Sequence, residues 1–228
     1  MKWTILDVAR LFHVTPQQVN QWIERDGLPA VRLKERTHLN RLDVLEWAVA
    51  RGRMVPPEAA PTAVDGSGIL SLAAALEAGG IYYKVPNHDR AAALRAVVQR
   101  LPLPPGADRE LALEVLLARE RLGSTGVGDG IAIPHIRGPL VFPVEKPFVT
   151  LCFLDGMVDF GAIDGRPVDT LFALIAPTIR GHLALLSHLS YAVHDPNFRD
   201  ALKKKLPEAE IFSCLKTLES SLPPEMKT

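Results

Sequence analysis

The sequence predicts an α/β protein in two pieces: a large body with a mixed sheet flanked by helices, behind a small helical head. Two observations carry that prediction. After residue 69, apolar positions switch between helical spacing and short continuous runs of strand length. Before it, Met54 to Gly68 is rich in Pro, Ala and Gly and has no amphipathic period, as a semi-extended linker would be. The 228 residues thus divide into a head (1–53), a linker (54–68), a body (69–222) and a short tail (223–228).

In the head, Thr4 is a good N-cap with Asp7 three residues on, and Leu6, Ala9, Leu11 and Phe12 give a short helix its apolar side. Thr15-Pro16-Gln17-Gln18 then supplies an N-cap Thr, a Pro at the first helical position and a capping-box Gln. Val19, Trp22 and Ile23 keep helical spacing up to the stop at Gly27. Two short helices joined by a tight turn make a helix-turn-helix pattern. Val31–Leu33 and His38–Asn40 flank a polar tip like a hairpin wing, and a third helix runs from Arg41 through Leu45 and Trp47.

In the body, Asp89 opens a helix with Leu94, Val97, Val98 and Leu101 on one side. Asp108 opens another, apolar at Leu113, Leu116 and Leu117 and closed by Gly123. Strand-like runs follow at Ile131–Ile133, Phe148–Leu154 and Leu171–Ala176. His182 then starts a helix carrying Leu185, Leu186, Leu189 and Val193 on one face.

Composition excludes some functions. The 26 basic and 26 acidic residues cancel, so whole-chain charge gives no argument for nucleic acid or an anionic membrane. Cys152 and Cys214 lie apart in apolar runs and read as two buried thiols in a reducing compartment. No metal-ligand spacing of Cys and His appears. No signal-peptide core or bilayer-length apolar stretch is present, so a cytoplasmic location is expected.

Arg119 to His135 is the most informative segment. Gly123 and Gly128 fit the spacing of a Walker A loop, but Asp129 stands where the Lys must be and would repel phosphates. What remains is a glycine loop, a short apolar strand and a His at its end beside Pro134. Pro belongs at a strand end or sheet edge, which places His135 where a strand leaves the sheet with its side chain available at the surface.

This segment, with Arg119-Glu120, Gly123-Ser124-Thr125-Gly126 and Ile131-Ala132-Ile133-Pro134-His135, resembles the enzyme IIA domains (type-2 fold) of the mannitol, fructose and nitrogen-regulatory phosphotransferase class. The resemblance extends through Val158–Asp169 and Leu171–Pro177 to the C-terminal helices, and Gly165-Arg166-Pro167-Val168 looks closer to the nitrogen-regulatory branch. It implies a phosphotransferase in which His135 attacks a phosphohistidine on a small carrier protein and later passes the group on, with no metal or nucleotide cofactor. His182 matches the second active-site histidine. Arg119 would offer a fork of donors to phosphoryl oxygens, or else cap carbonyls at its helix end. Ser124 and Thr125 would add phosphate-binding donors. His182 can alternatively be a packed core residue, while His188 and His194 read as ordinary. Ile136 departs from the small residue usual after the active His and would crowd the carrier docking surface.

The head resembles the winged excisionase and MerR-type helix-turn-helix family, whose second helix enters the major groove. That resemblance implies Gln17, Asn20, Gln21 and Arg25 at base edges, with Arg32, Lys34, Arg36 and Arg41 at phosphates. A solvated helix face and a polar hairpin are the plainer alternative, since Glu24, Asp26 and Glu35 dilute the charge. Three functions compete: a nitrogen-regulatory phosphocarrier that signals through its head to duplex DNA or a target protein, the soluble arm of a sugar permease serving an enzyme IIB, and a binding module that has lost phosphotransfer. A head so small implies a homodimer or second protein for DNA affinity, and the linker implies that it need not touch the body.

Overall fold

The computed structural model describes residues 2–33, 36–56, 64–65, 68–136 and 144–221. Lys34, the segment after Ile136, most of the linker and the tail from 222 on lie outside the described residues. In the head, strand β1 (Lys2–Trp3) precedes helix α1 (Ile5–Leu11), whose Thr4 and Asp7 form the reciprocal cap. Helix α2 (Pro16–Arg25) starts on the Thr15 cap. The Gln18 side chain does not complete a capping box: it donates to Gln21 at 3.0 Å, one turn along the helix. Strands β2 (Val31–Leu33) and β3 (Arg36–Asn40) pair antiparallel as the expected hairpin, with β1 added on the other edge of β3.

Helix α3 (Arg41–Ala50) closes the head and is buried continuously from Val44 to Val49. A helix covered on every side must have a neighbour on each. On one side are α1, α2 and the hairpin: Trp47 packs on Trp22 with ring centroids 5.2 Å apart and donates its indole N–H to the Asp26 carbonyl. On the other is the body. The core that holds Val8, Val19 and Trp22 runs unbroken into Leu185, Leu189 and Val193. The linker's composition implies a head that need not touch the body; the shared core shows that it does. The Val55 N–H donates to Ser190 Oγ at 3.1 Å, and His194 Nε2 lies 3.0 Å from the Gly52 carbonyl, so His194 joins the two halves.

Beyond the short β4 (Val64–Asp65) and β5 (Gly68–Ile69) pair comes an element the sequence reading missed, helix α4 (Leu72–Gly79). It lies so close to the sheet that a Cβ on Gly79 would stand 2.1 Å from the Val149 carbonyl oxygen. Strand β6 (Ile81–Val85) and helices α5 (Arg90–Val98) and α6 (Arg109–Arg121) follow, the helices capped by Asp89 and Asp108. The remaining strands are β7 (Gly126–Gly128), β8 (Ile131–Ala132), β9 (Phe148–Val158) and β10 (Val168–Ile175). They assemble with β6 into a five-stranded mixed sheet of order β6-β9-β10-β8-β7. Helices α7 (Ile179–His194), α8 (Pro196–Lys203) and α9 (Glu208–Ser220) complete the chain.

Strand alternation divides the core in two. Ile131, Ile133, Leu151, Phe172 and Leu174 face α4, α7 and the head, whereas Ala132, Cys152, Leu154, Leu171 and Ala173 face α5 and α6. Cys152 is fully buried and its thiol is pushed up to about 12, chiefly by burial; Cys214 is only half-buried. Among the described residues no helix is long and apolar enough to cross a membrane.

Candidate functional site

The path from Ile131 to Ile136 decides where the histidine goes. Thr170 pairs with Ile131 and Leu171 with Ala132 in parallel register, and His135 continues the line opposite Leu174. Pro134 has no N–H to donate, but its carbonyl accepts from the Leu174 N–H at 3.2 Å, so the line survives the proline. Alternation then puts His135 on the face of Ile131 and Ile133, toward α7. Ile136 falls on the opposite face, packed into the α5–α6 core at 3 % exposure. Buried there, it offers no bulk to a carrier docking surface, contrary to the expectation.

His135 is not at the surface either. It is 2 % exposed, because α3 covers the strand end. Its Nδ1 lies 2.7 Å from the Ile133 carbonyl, which can only accept. Nδ1 thus carries the proton and Nε2 carries the lone pair, facing α3 and α7. Burial, followed by the electrostatic influence of His182 and the Arg119 guanidinium, holds the imidazole below its ordinary value against the opposing pull of Glu46. The neutral, nucleophilic form is the one this site favours.

Helix α7 starts three residues before His182, capped by the Thr178 hydroxyl accepting from the Gly181 N–H. His182 is therefore the fourth helical residue rather than the first. It still points at the sheet, 2 % exposed, with its ring centroid 5.3 Å from that of His135. Arg119 reaches the same spot from the end of α6 while donating to the Gly123 carbonyl at 3.0 Å, so its capping and site-facing roles coexist.

The hydroxyls of Ser124 and Thr125 are spent elsewhere. Ser124 donates to the Phe160 carbonyl and Thr125 to Glu120 at 2.6 Å, with the Thr125 N–H also on Glu120. Glu120, 4 % exposed, stands in the Arg119-Glu120 motif, where sequence reasoning gives it no role: it staples the glycine loop to α6. Gly126 lets that loop lie flat on Ala162, where a Cβ would stand only 2.7 Å from the Ala162 Cβ.

The residue missed by sequence reasoning is Glu46 of α3. It is 2 % exposed, with Oε1 3.8 Å from His135 Nε2 and 3.7 Å from His182 Nε2, and Oε2 4.0 Å from an Arg119 terminal nitrogen. The signal was a single carboxylate inside the apolar run Val44–Val49. Ligand atoms of Glu46, His135 and His182 lie within 4.8 Å of one another, a set a divalent cation can span. The Arg119 guanidinium beside them supplies positive charge at the same place, which makes the pocket one for an anion.

The DNA-reading candidates are spread over the head, and Arg41 opens the same helix as Glu46. Gln17, Asn20, Gln21 and Arg25 share the exposed side of α2, and Arg32 is exposed on β2. Arg36 lies on β3, and Arg41 stacks over Trp3 at 5.3 Å.

The described residues thus bring two buried histidines and an arginine together against one face of a mixed α/β sheet. Residues 76–217 match the family described as phosphoenolpyruvate-dependent sugar phosphotransferase system, EIIA 2, and the chain belongs to it. Members of that family carry phosphohistidine and transfer phosphate. The chain is 43% identical over 108 residues to a nitrogen regulatory protein of Pseudomonas aeruginosa, spanning 46% of this chain and 68% of that one. It is 34% identical over 125 residues to the nitrogen regulatory protein of Escherichia coli K12, spanning 54% and 73%. Among solved structures, nitrogen regulatory protein IIA-Ntr from Neisseria meningitidis superposes with a TM-score of 0.55 at 28% identity, covering 63% of this chain and 97% of that one.

Proposed function

We propose that this protein is a nitrogen-regulatory type enzyme IIA whose His135 accepts a phosphoryl group from a phosphorylated histidine carrier protein. The observation that carries the reading is the 2.7 Å contact of His135 Nδ1 with the Ile133 carbonyl, an acceptor that selects the Nδ1–H tautomer. With the proton there, the Nε2 lone pair is directed into the pocket shared with His182 and Arg119. In the transfer, Nε2 attacks phosphorus and a new P–N bond forms. The donor's P–N bond breaks and its electron pair returns to the donor nitrogen, while the Nδ1 proton stays in place. His182 and Arg119 meet the charge on the equatorial oxygens, which is where this reaction gains most from a protein. Ser124 and Thr125 contribute through the shape of the glycine loop.

Residues 1–53 are, on this reading, a winged helix-turn-helix head that signals to duplex DNA, supported by the unshared polar side of α2. The permease-arm reading draws on a fructose-specific EIIA component of Haloferax volcanii, 39% identical over 105 residues. A fused head favours regulation, because a transport arm has no use for one. The test is incubation of the full chain with phosphoenolpyruvate, enzyme I and the histidine carrier, followed by assay of an acid-labile adduct. Wild type is expected to label at one site and His135→Ala not at all; equal labelling of that variant overturns the assignment.

A further inference from the structure

We propose that the head is a resident ligand of the phosphoacceptor pocket: Glu46 occupies the phosphoryl position, and head docking and phosphorylation of His135 exclude one another. This inference rests on the phosphoacceptor reading above and adds a regulation to it. Glu46 sits where a phosphoryl group would sit. One carboxylate oxygen faces both histidines at 3.7 and 3.8 Å, and the other faces Arg119 at 4.0 Å. A planar anion set among two imidazoles and a guanidinium is met by the same groups that would meet phosphoryl oxygens.

Access gives the second argument. A donor phosphorus must come within about 3–3.5 Å of Nε2 for attack. With α3 in place His135 is 2 % exposed and the Glu46 carboxylate stands across its nucleophilic nitrogen. No carrier protein can present a phosphohistidine there until α3 leaves. Conversely, a phosphoryl group on Nε2 brings about −1.5 to −2 charges into the space of a carboxylate and claims its partners. The two anions cannot share the pocket.

The third argument is that the docked state is built at more than one point. Gly52 lies against β7 so closely that a Cβ there would meet the Val127 carbonyl oxygen at 2.9 Å, and its φ of +60° disfavours any side chain. The Val55 and His194 hydrogen bonds secure the same seam. Docking can therefore be weakened at Gly52 without touching the pocket, and at Glu46 without touching His135.

Initial labelling rates with enzyme I, phosphoenolpyruvate and the histidine carrier provide the test, using the full chain as wild type, Glu46→Lys and Gly52→Ala. Both variants are expected to label at least about tenfold faster than wild type, because either change raises the open population. Wild-type rates in both variants overturn the proposal while leaving the phosphoacceptor reading intact. Absence of labelling in all three chains overturns the phosphoacceptor reading and this one with it. Hydrogen exchange on the unmodified sequence gives an independent measurement. Amides of residues 44–50 should exchange at least about tenfold faster in the phosphorylated chain than in the unphosphorylated one, by the reciprocity of linked equilibria. Unchanged protection there overturns mutual exclusion even if the variants label quickly.

Discussion

Helices α2 and α3 have ten residues each and meet in the head through Trp22 and Trp47, but they are built for different surroundings. Helix α2 buries Val19 and Trp22 and turns Gln17, Asn20, Gln21 and Arg25 to solvent. Helix α3 buries six consecutive residues, Glu46 among them. The first pattern needs one neighbour and the second needs two. The difference shows that the head is a unit with one face still open and the other already engaged, and the engaged face carries the only carboxylate placed against the histidine pair among the described residues.

The largest expected effect comes from breaking the engaged helix. Trp47 is 8 % exposed and holds α2 through the Asp26 carbonyl. Trp47→Ala should cost about 3–5 kcal/mol, seen as a lower urea midpoint, whereas Gln21→Ala on the open face should stay within about 0.5 kcal/mol of wild type. Equal effects would erase the contrast between the helices. Next in size is His182→Ala, made in a Glu46→Lys background so that access is not limiting. Rapid-quench transfer to His135 should slow by about 10²–10³; an unchanged rate would return His182 to a packing role.

The open face is tested by replacing Gln17, Asn20, Gln21 and Arg25 together with Ala. Thermal stability should hold, while retention on a duplex library drops and its salt slope stays shallow, about 0.9 per phosphate contact. Failure of the wild-type chain to enrich any sequence at low salt would make α2 a protein-docking surface instead.

The smallest effect is a pH dependence confined to the body. His135 and His188 are both held below the ordinary imidazole value, chiefly by burial. Below about pH 6.5 the unfolded chain takes up protons that the folded chain refuses. Stability is therefore full above that pH and declines as pH falls through it toward the depressed native values. Melting temperatures measured from about pH 7.5 down to about pH 5.5 should fall less in His188→Gln than in wild type.

Much of the body was readable from the sequence because its signals are local. Asp89 and Asp108 cap the helices they were expected to cap, and the apolar face expected for α7 is buried. Helix α4 escaped because Leu72–Gly79 is short, rich in Ala and Gly, and held by the sheet rather than by a strong amphipathic pattern. The exposure expected for His135 came from correct reasoning about a strand end; what covers that end is Glu46, far away in sequence. Only the tertiary fold brings α3 to that place. The Ile136 question had the same character: alternation along β8 settles it, but only once the register with β10 is known.

Because Glu46 and His135 belong to one polypeptide, the proposed occupant of the pocket would compete as an intramolecular partner. Its effective concentration is set by the covalent connection rather than by the amount of protein present. Dilution, expression level and oligomer dissociation leave that competition unchanged. On the proposed reading, an incoming carrier would face a threshold set by the strength of the seam at Gly52, Val55 and His194, and substitutions there would retune the response without altering any group proposed to meet phosphorus.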